Sequence, residues 1–179
     1  MGRKIDVTIT YLEQTARPVL PTPLRPPGKI AIMRAESPPV VFYRYLYRLI
    51  GDPHYWMSRR HLADADLARI ITDPRVYVYV LYVGGVPAGM GEIDMRSDAA
   101  AELKFFGVAS GFQGKGLGRF FLSHVIDLAW SHGPQKLRLE TCTLDHPAAL
   151  PLYQRLGFSV FDQQSGQIDL PDDPTADCA

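Results

Sequence analysis

The sequence predicts a mixed α/β fold built on a largely antiparallel sheet. Three observations carry that prediction: three strand patterns in succession between residues 76 and 109, a switch to helix periodicity after a glycine-rich loop at 111–118, and a strand–helix–strand order over 136–162. At 179 residues the chain is sized for a single domain. It is read as 1–179, with an N-terminal strand and proline-rich arm over 1–28 and an acidic tail over 171–179.

Residues 5–11 alternate apolar and polar side chains and read as a strand, after which Pro18, Pro21, Pro23, Pro26 and Pro27 forbid regular structure up to Gly28. A short strand fits 29–34. Ser37-Pro38 then offers a cap and a first-turn proline for an aromatic-rich helix through Ile50, stopped by Gly51-Asp52-Pro53. A second helix fits 62–72, ended by Asp73-Pro74. Residues 76–83, rich in valine and tyrosine, form the plainest strand pattern of the chain, and Gly84-Gly85 turns it back. Strands over 86–96 and 101–109 complete an antiparallel meander. Leu117, Phe121, Val125, Leu128 and Ala129 make one helical stripe across 117–131. A strand over 136–143, a short helix over 147–156 ended by Gly157, and strands over 158–162 and 167–170 finish the sheet.

Composition narrows the function. Nineteen basic and nineteen acidic side chains cancel, so the molecule casts no cationic field for nucleic acid or an anionic membrane. The charge is unevenly spread, with eight Lys or Arg against Glu36 and Asp52 in 17–60 and five Asp without a base in 162–177, which reads as solvated surface. No apolar run approaches the roughly 20 residues of a membrane span. Cys142 and Cys178 are too few for a disulfide framework, and neither they nor His54, His61, His124 and His132 have metal-site spacing. The N-terminus resembles no signal peptide, so a cytoplasmic protein is expected.

The segment from Phe106 to Arg119 reads as strand, glycine loop, helix. Backbone N–H groups can converge there on a phosphate or pyrophosphate while the helix dipole and the charges of Lys115 and Arg119 favour the anion. A P-loop would need Ser or Thr where Leu117 stands, and a dinucleotide fold would need a parallel βαβ unit. Gln113-Gly-Lys-Gly-Leu-Gly118 instead resembles the Q/R-x-x-G-x-G/A signature of the GNAT superfamily of N-acetyltransferases. Independently, Ala149-Leu-Pro-Leu-Tyr-Gln-Arg-Leu-Gly-Phe158 resembles the later helix and turn of that family, where a Leu-Tyr pair precedes Gly-Phe. The likeness covers about 76–161, and the N-terminal arm lies outside it.

The resemblance implies a GNAT-type sheet with helices on both faces and acetyl transfer from acetyl-CoA, without a metal, to a primary amine by direct attack. Backbone groups of Phe106, Gly107 and Val108 would line the pantetheine. Gln113, Gly114, Lys115, Gly116, Leu117, Gly118 and Arg119 would surround the pyrophosphate. His146 stands where the family has an asparagine that contacts the coenzyme, and with Asp145 and Pro147 it can equally cap a helix. Ser110 stands where a proline is common. Tyr153 matches the usual general acid, a phenol able to protonate a departing thiolate, and a backbone N–H near Val108 would serve as the oxyanion contact.

The protonated amine, with a pKa of about 10, must lose a proton before it attacks. Glu102, six residues before Val108 on the same strand, matches the glutamate of some protein-acetylating members; Glu92, Glu140 and a water chain are alternatives. Between the first two helices Tyr43, Tyr47, His54, Tyr55 and Trp56, beside Arg44, Arg59 and Arg60, suggest a wall for an acceptor with apolar or anionic groups. The acceptor is a small-molecule amine or a peptide or protein amine, and exposed strands near the termini could pair subunits in a homodimer. The rival reading is a non-catalytic acyl-CoA-binding sensor or interaction module that docks through the proline-rich arm. A hydrolase fits less well, since Ser110 lacks a GxSxG surround.

Overall fold

In the computed structural model, which describes residues 3–170, strand periodicity in the sequence becomes a seven-stranded mixed sheet. The strands are β1 (Arg3–Gln14), β2 (Ile30–Ala35), β3 (Val76–Val83), β4 (Val86–Asp94), β5 (Ala101–Val108), β6 (Leu137–Cys142) and β7 (Ser159–Leu170). Four helices accompany them: α1 (Val40–Gly51), α2 (Asp64–Ile71), α3 (Leu117–Ser131) and α4 (Ala149–Arg155). The order across the sheet is β2-β3-β4-β5-β6-β1-β7, antiparallel at every junction except β5 with β6. No helix among the described residues is long and apolar enough to cross a membrane. The acidic tail over 171–179 lies outside the described residues.

Period-two alternation in β3 sorts its side chains onto two cores. Val78 and Val80 face the α1 stripe Tyr43, Leu46, Tyr47 and Ile50, joined by Leu67 and Ile71 of α2. Tyr79 and Leu81 face Phe121, Leu122, Val125 and Ile126 of α3 in the opposite core. Helices therefore cover both faces.

Several boundaries differ from the sequence reading for local reasons. Helix α1 starts at Val40, not at Ser37-Pro38, and Ser37 has φ 45°. A residue that precedes proline is steered out of the helical region, so the tandem Pro38-Pro39 postpones the helix until both are passed. The pattern over 158–170 forms one continuous strand, because β1 supplies a partner from Arg3↔Leu170 to Glu13↔Ser159 and carries the polar stretch around Gly166. Strand β1 itself is longer than 5–11 and lies between β6 and β7. The proline-rich arm that follows is a strap along α3: Arg17 pairs with Asp127, Leu20 packs on the α3-side core, and Pro26 lies beside Gly116 at the start of the helix.

The chain between α1 and α2 is pinned from beneath. Glu92 of β4 is wholly buried, and its carboxylate accepts from the Tyr43 hydroxyl and, at 2.8 Å, from Arg59 Nη2. Burial works against the Arg59 cation, yet Glu92 holds it so firmly that its pKa rises. Burial and the Glu92 charge push the Tyr43 phenol up. Arg60 pairs with Asp52, while Arg44 donates to the carbonyls of Arg60 at 3.1 Å and Leu62 at 2.6 Å. These residues are structural fasteners, so the expected acceptor wall loses Tyr43, Tyr47, Arg44, Arg59 and Arg60. Arg59→Met should lower the unfolding free energy by about 3–5 kcal/mol by stranding a buried carboxylate, and adding Glu92→Met should restore much of it. Urea denaturation of the two variants checks this, and equal losses would contradict the pairing.

Candidate active site

Strands β5 and β6 run parallel but pair only at Ala101↔Leu137 and Glu102↔Arg138. Beyond those two pairs they part, opening a wedge toward their C-terminal ends. Backbone groups on the β5 edge that face the wedge lack a neighbouring strand and need another partner.

A cavity of about 180 Å³ occupies the wedge. Strand β5 contributes Phe106, Gly107 and Val108 to its lining, the following loop and α3 contribute Gln113, Gly114 and Gly118, and the β6–α4 connection contributes Asp145 and His146. Tyr153 and Leu152 of α4 and Ile50, His54 and Trp56 from α1 and its following turn close it. A Cβ on Gly107 would collide with Ile50 Cγ2, so glycine at this position is what lets α1 approach β5 so closely.

The glycine loop is shaped by Gly114 and Gly116 at φ 74° and 76°, and Gly116 is the N-cap of α3. No side chain caps this helix and no acidic residue occupies its first turn, which leaves the N–H groups of Leu117, Gly118 and Arg119 as free first-turn donors. Gln113 Nε2 donates to the Val108 carbonyl at 3.0 Å and ties the loop back to β5. The Lys115 ammonium donates to the Gly111 carbonyl at 3.2 Å, and Arg119 is exposed. Lys115, Gly116, Leu117 and Arg119 do not line the cavity itself; Leu117 is a core side chain with only its backbone to offer a ligand.

Tyr153 is buried, and its hydroxyl has no hydrogen-bond partner among the described residues yet is not sealed off from the cavity. Burial, seconded by the Asp145 carboxylate, raises its pKa well above the ordinary phenol value. Asp145 Oδ2 accepts from Thr141 Oγ1 at 2.6 Å and from the Cys142 N–H at 2.9 Å, which fixes the turn leaving β6. His146 Nδ1 accepts the Ala148 N–H at 3.1 Å, so this residue both caps the entry to α4 and faces the cavity.

The carboxylates fall elsewhere. Glu102 lines a separate hollow with Asp94 and Arg96 and accepts from Lys104 Nζ at 2.9 Å. Six residues of strand separate it from Val108, about 20 Å, and it does not line the cavity that holds Tyr153. Glu92 is sealed beneath α1, and Glu140 is exposed on β6 outside the cavity. His54, expected in the acceptor wall, lines the cavity, and its ring stands 6.3 Å from that of His146, centroid to centroid. Among the described residues no three His, Cys, Asp or Glu side chains gather as a metal site.

The sequence profile of the acetyltransferase (GNAT) family matches residues 43–158. The chain belongs to this family. No curated protein matches it. Among solved structures, a GCN5-related N-acetyltransferase from Sphaerobacter thermophilus superposes with a TM-score of 0.64 at 17% identity, over 96% of this chain and 55% of that one. An aminoglycoside acetyltransferase from an uncultured soil metagenomic sample gives 0.57 at 17%, over 72% and 87%. An IAA acetyltransferase from Bacillus cereus gives 0.55 at 24%, over 75% and 79%. The chain thus spans little more than half of the Sphaerobacter protein, and it spans 61% of a protein of unknown function from Staphylococcus epidermidis.

GNAT acetyltransferases use acetyl-CoA, and the open β5 edge, the uncapped α3 N-terminus and the adjacent Lys115 and Arg119 suit a long ligand with a pyrophosphate. The contact between β5 and α1 can be tested sterically. Gly107→Ala should destabilise the protein by about 1–3 kcal/mol. In an Ile50→Ala background, where the opposing methyl is gone, the same change should cost distinctly less. Urea denaturation of the four proteins checks this, and strict additivity would contradict the contact.

Proposed function

We propose that this GNAT protein transfers an acetyl group from acetyl-CoA to a primary amine by direct attack, with Tyr153 as general acid. The observation that carries the reading is the unengaged Tyr153 hydroxyl in the same cavity as the β5 backbone and the glycine loop. Bound acetyl-CoA supplies an activated acetyl thioester. The β5 edge at Phe106, Gly107 and Val108 would align the pantetheine, and the first-turn amides of α3 with Lys115 and Arg119 would hold the pyrophosphate. His146, at the rim, would add a side-chain contact. The N–H of Val108 would stabilise charge that develops on the thioester oxygen.

Burial keeps the Tyr153 phenol protonated at any pH where an amine is nucleophilic, which suits a donor to the departing thiolate. Direct attack is favoured because Cys142 lies outside the cavity lining and burial pushes its thiol up, away from the thiolate form. The lining by Ile50, Trp56, Phe106 and Leu152 favours an acceptor whose amine sits on an apolar skeleton. With Arg44, Arg59 and Arg60 engaged elsewhere, an anionic acceptor loses the support that the sequence lent it.

Acetyl-CoA at ~100 times its dissociation constant should raise the melting temperature by roughly 5–10 °C. No shift at millimolar concentration would overturn the reading. Tyr153→Phe should keep that shift while turnover, followed by thiol release, falls by about 100-fold or more. Unchanged turnover would remove Tyr153 from the chemistry, and a shift without thiol release from any amine would favour a coenzyme sensor.

A further inference from the structure

We propose that His54 is the general base that deprotonates the acceptor amine, its tautomer set by the backbone carbonyl of Leu144. The assignment rests on the acetyl-transfer reading and deepens it. Four titratable side chains line the cavity: His54, Asp145, His146 and Tyr153. Three of them already have another part. Asp145 is held in its own β-turn through Oδ2, which accepts from Thr141 Oγ1 and the Cys142 N–H. Tyr153 carries a protonated phenol. Nδ1 of His146 accepts the Ala148 N–H, so the neutral ring bears its proton on Nε2 and is a donor on its remaining side.

His54 is arranged the other way round. Its Nδ1 lies 3.3 Å from the carbonyl oxygen of Leu144, and a carbonyl can only accept. The proton of the neutral ring therefore resides on Nδ1, and the Nε2 lone pair is unclaimed among the described residues. The backbone supports this placement. The turn Asp52–His54 is followed by Tyr55 at φ 55°, a left-handed conformation unusual for a bulky residue, and the Trp56 N–H returns to the Gly51 carbonyl at 3.1 Å. Strain of this kind persists where surrounding contacts enforce it, and the Arg59–Glu92 and Arg60–Asp52 pairs anchor the chain just beyond.

The proton balance closes. Nε2 of His54 takes one proton from the ammonium and passes it to bulk water. The C–N bond forms, the C–S bond breaks, and sulfur receives a proton from Tyr153, which is restored from solvent as the second amine proton leaves nitrogen. One proton is released overall.

The tautomer is measurable without any acceptor. In protein labelled with ¹⁵N-histidine, long-range ¹H–¹⁵N spectra should show the neutral His54 protonated on Nδ1 and the neutral His146 on Nε2, each assigned by the signal that His54→Gln or His146→Gln removes. A His54 proton on Nε2 would overturn the proposal. Kinetically, His54→Gln should cut kcat for acetyl transfer to phenethylamine by about 100-fold or more. KM for acetyl-CoA and the coenzyme-induced melting shift should stay near wild type. Transfer to aniline, whose nitrogen is already neutral, should fall far less, and equal losses for the two amines, or none, would refute a base role. Failure of the wider acetyl-transfer reading would look different: wild-type protein would show no acetyl-CoA shift, whatever tautomer His54 adopts.

Discussion

The early parting of β5 from β6 is the constraint on which the remaining structure turns. A parallel junction of two residue pairs cannot by itself hold two halves of a sheet together. The core beneath α3 does that work. It contains Tyr79, Leu81 and Leu103 from one half and Leu12, Leu137 and Leu139 from the other, so it is continuous across the junction. The core beneath α1 and α2 ends at Phe105 and Ala109 and contains no residue of β6 or β1. The halves are thus joined on one face and free to diverge on the other, which leaves a wedge where the α1 turn, the glycine loop and α4 can meet. Gln14 reinforces the joined face: its amide accepts from Trp130 Nε1 of α3 at 2.7 Å and donates to the Leu156 carbonyl after α4 at 2.8 Å. A buried amide so satisfied fixes three elements at once.

What the sequence revealed and what it hid follow from the range of the interactions involved. Strand β3, helix α3 and the glycine loop depend on side-chain period and on positive φ, both written in consecutive residues, and they were legible to within a residue or two. The place of β1 between β6 and β7 was not, because its partners lie more than a hundred residues away. Tyr153 could be found through a local motif. Glu102 lies outside the cavity for an instructive reason. Alternation tells which face of a strand a residue shares, but not how far along that strand the neighbouring strand departs. The wedge opens just beyond Glu102, so its side chain stays with the joined part of the sheet. The arginines between α1 and α2 looked like surface charge because their partners, Glu92 and Asp52, are identified only by the fold.

Those buried ion pairs bear on how the site keeps its shape. Replacing a buried ion pair by apolar side chains of similar volume commonly leaves stability unchanged or improves it, so burial energy alone gives little reason to bury Arg59 with Glu92. Direction is what a charged pair supplies and an apolar contact does not. The Glu92 carboxylate fixes the Arg59 guanidinium at one point beneath α1, the Arg59 N–H meets the Tyr47 hydroxyl at 3.2 Å, and Arg44 grips the carbonyls that follow. The short turn between Gly51 and Trp56 is thereby held at both ends, by α1 before it and by this network after it. His54 reaches from that turn across the open side of the wedge to Leu144, in the turn that leaves β6. The face that lacks a continuous core is therefore spanned by a hydrogen bond aimed from a clamped turn, and the same clamp that positions the imidazole leaves room beside it for the ligands of the cavity.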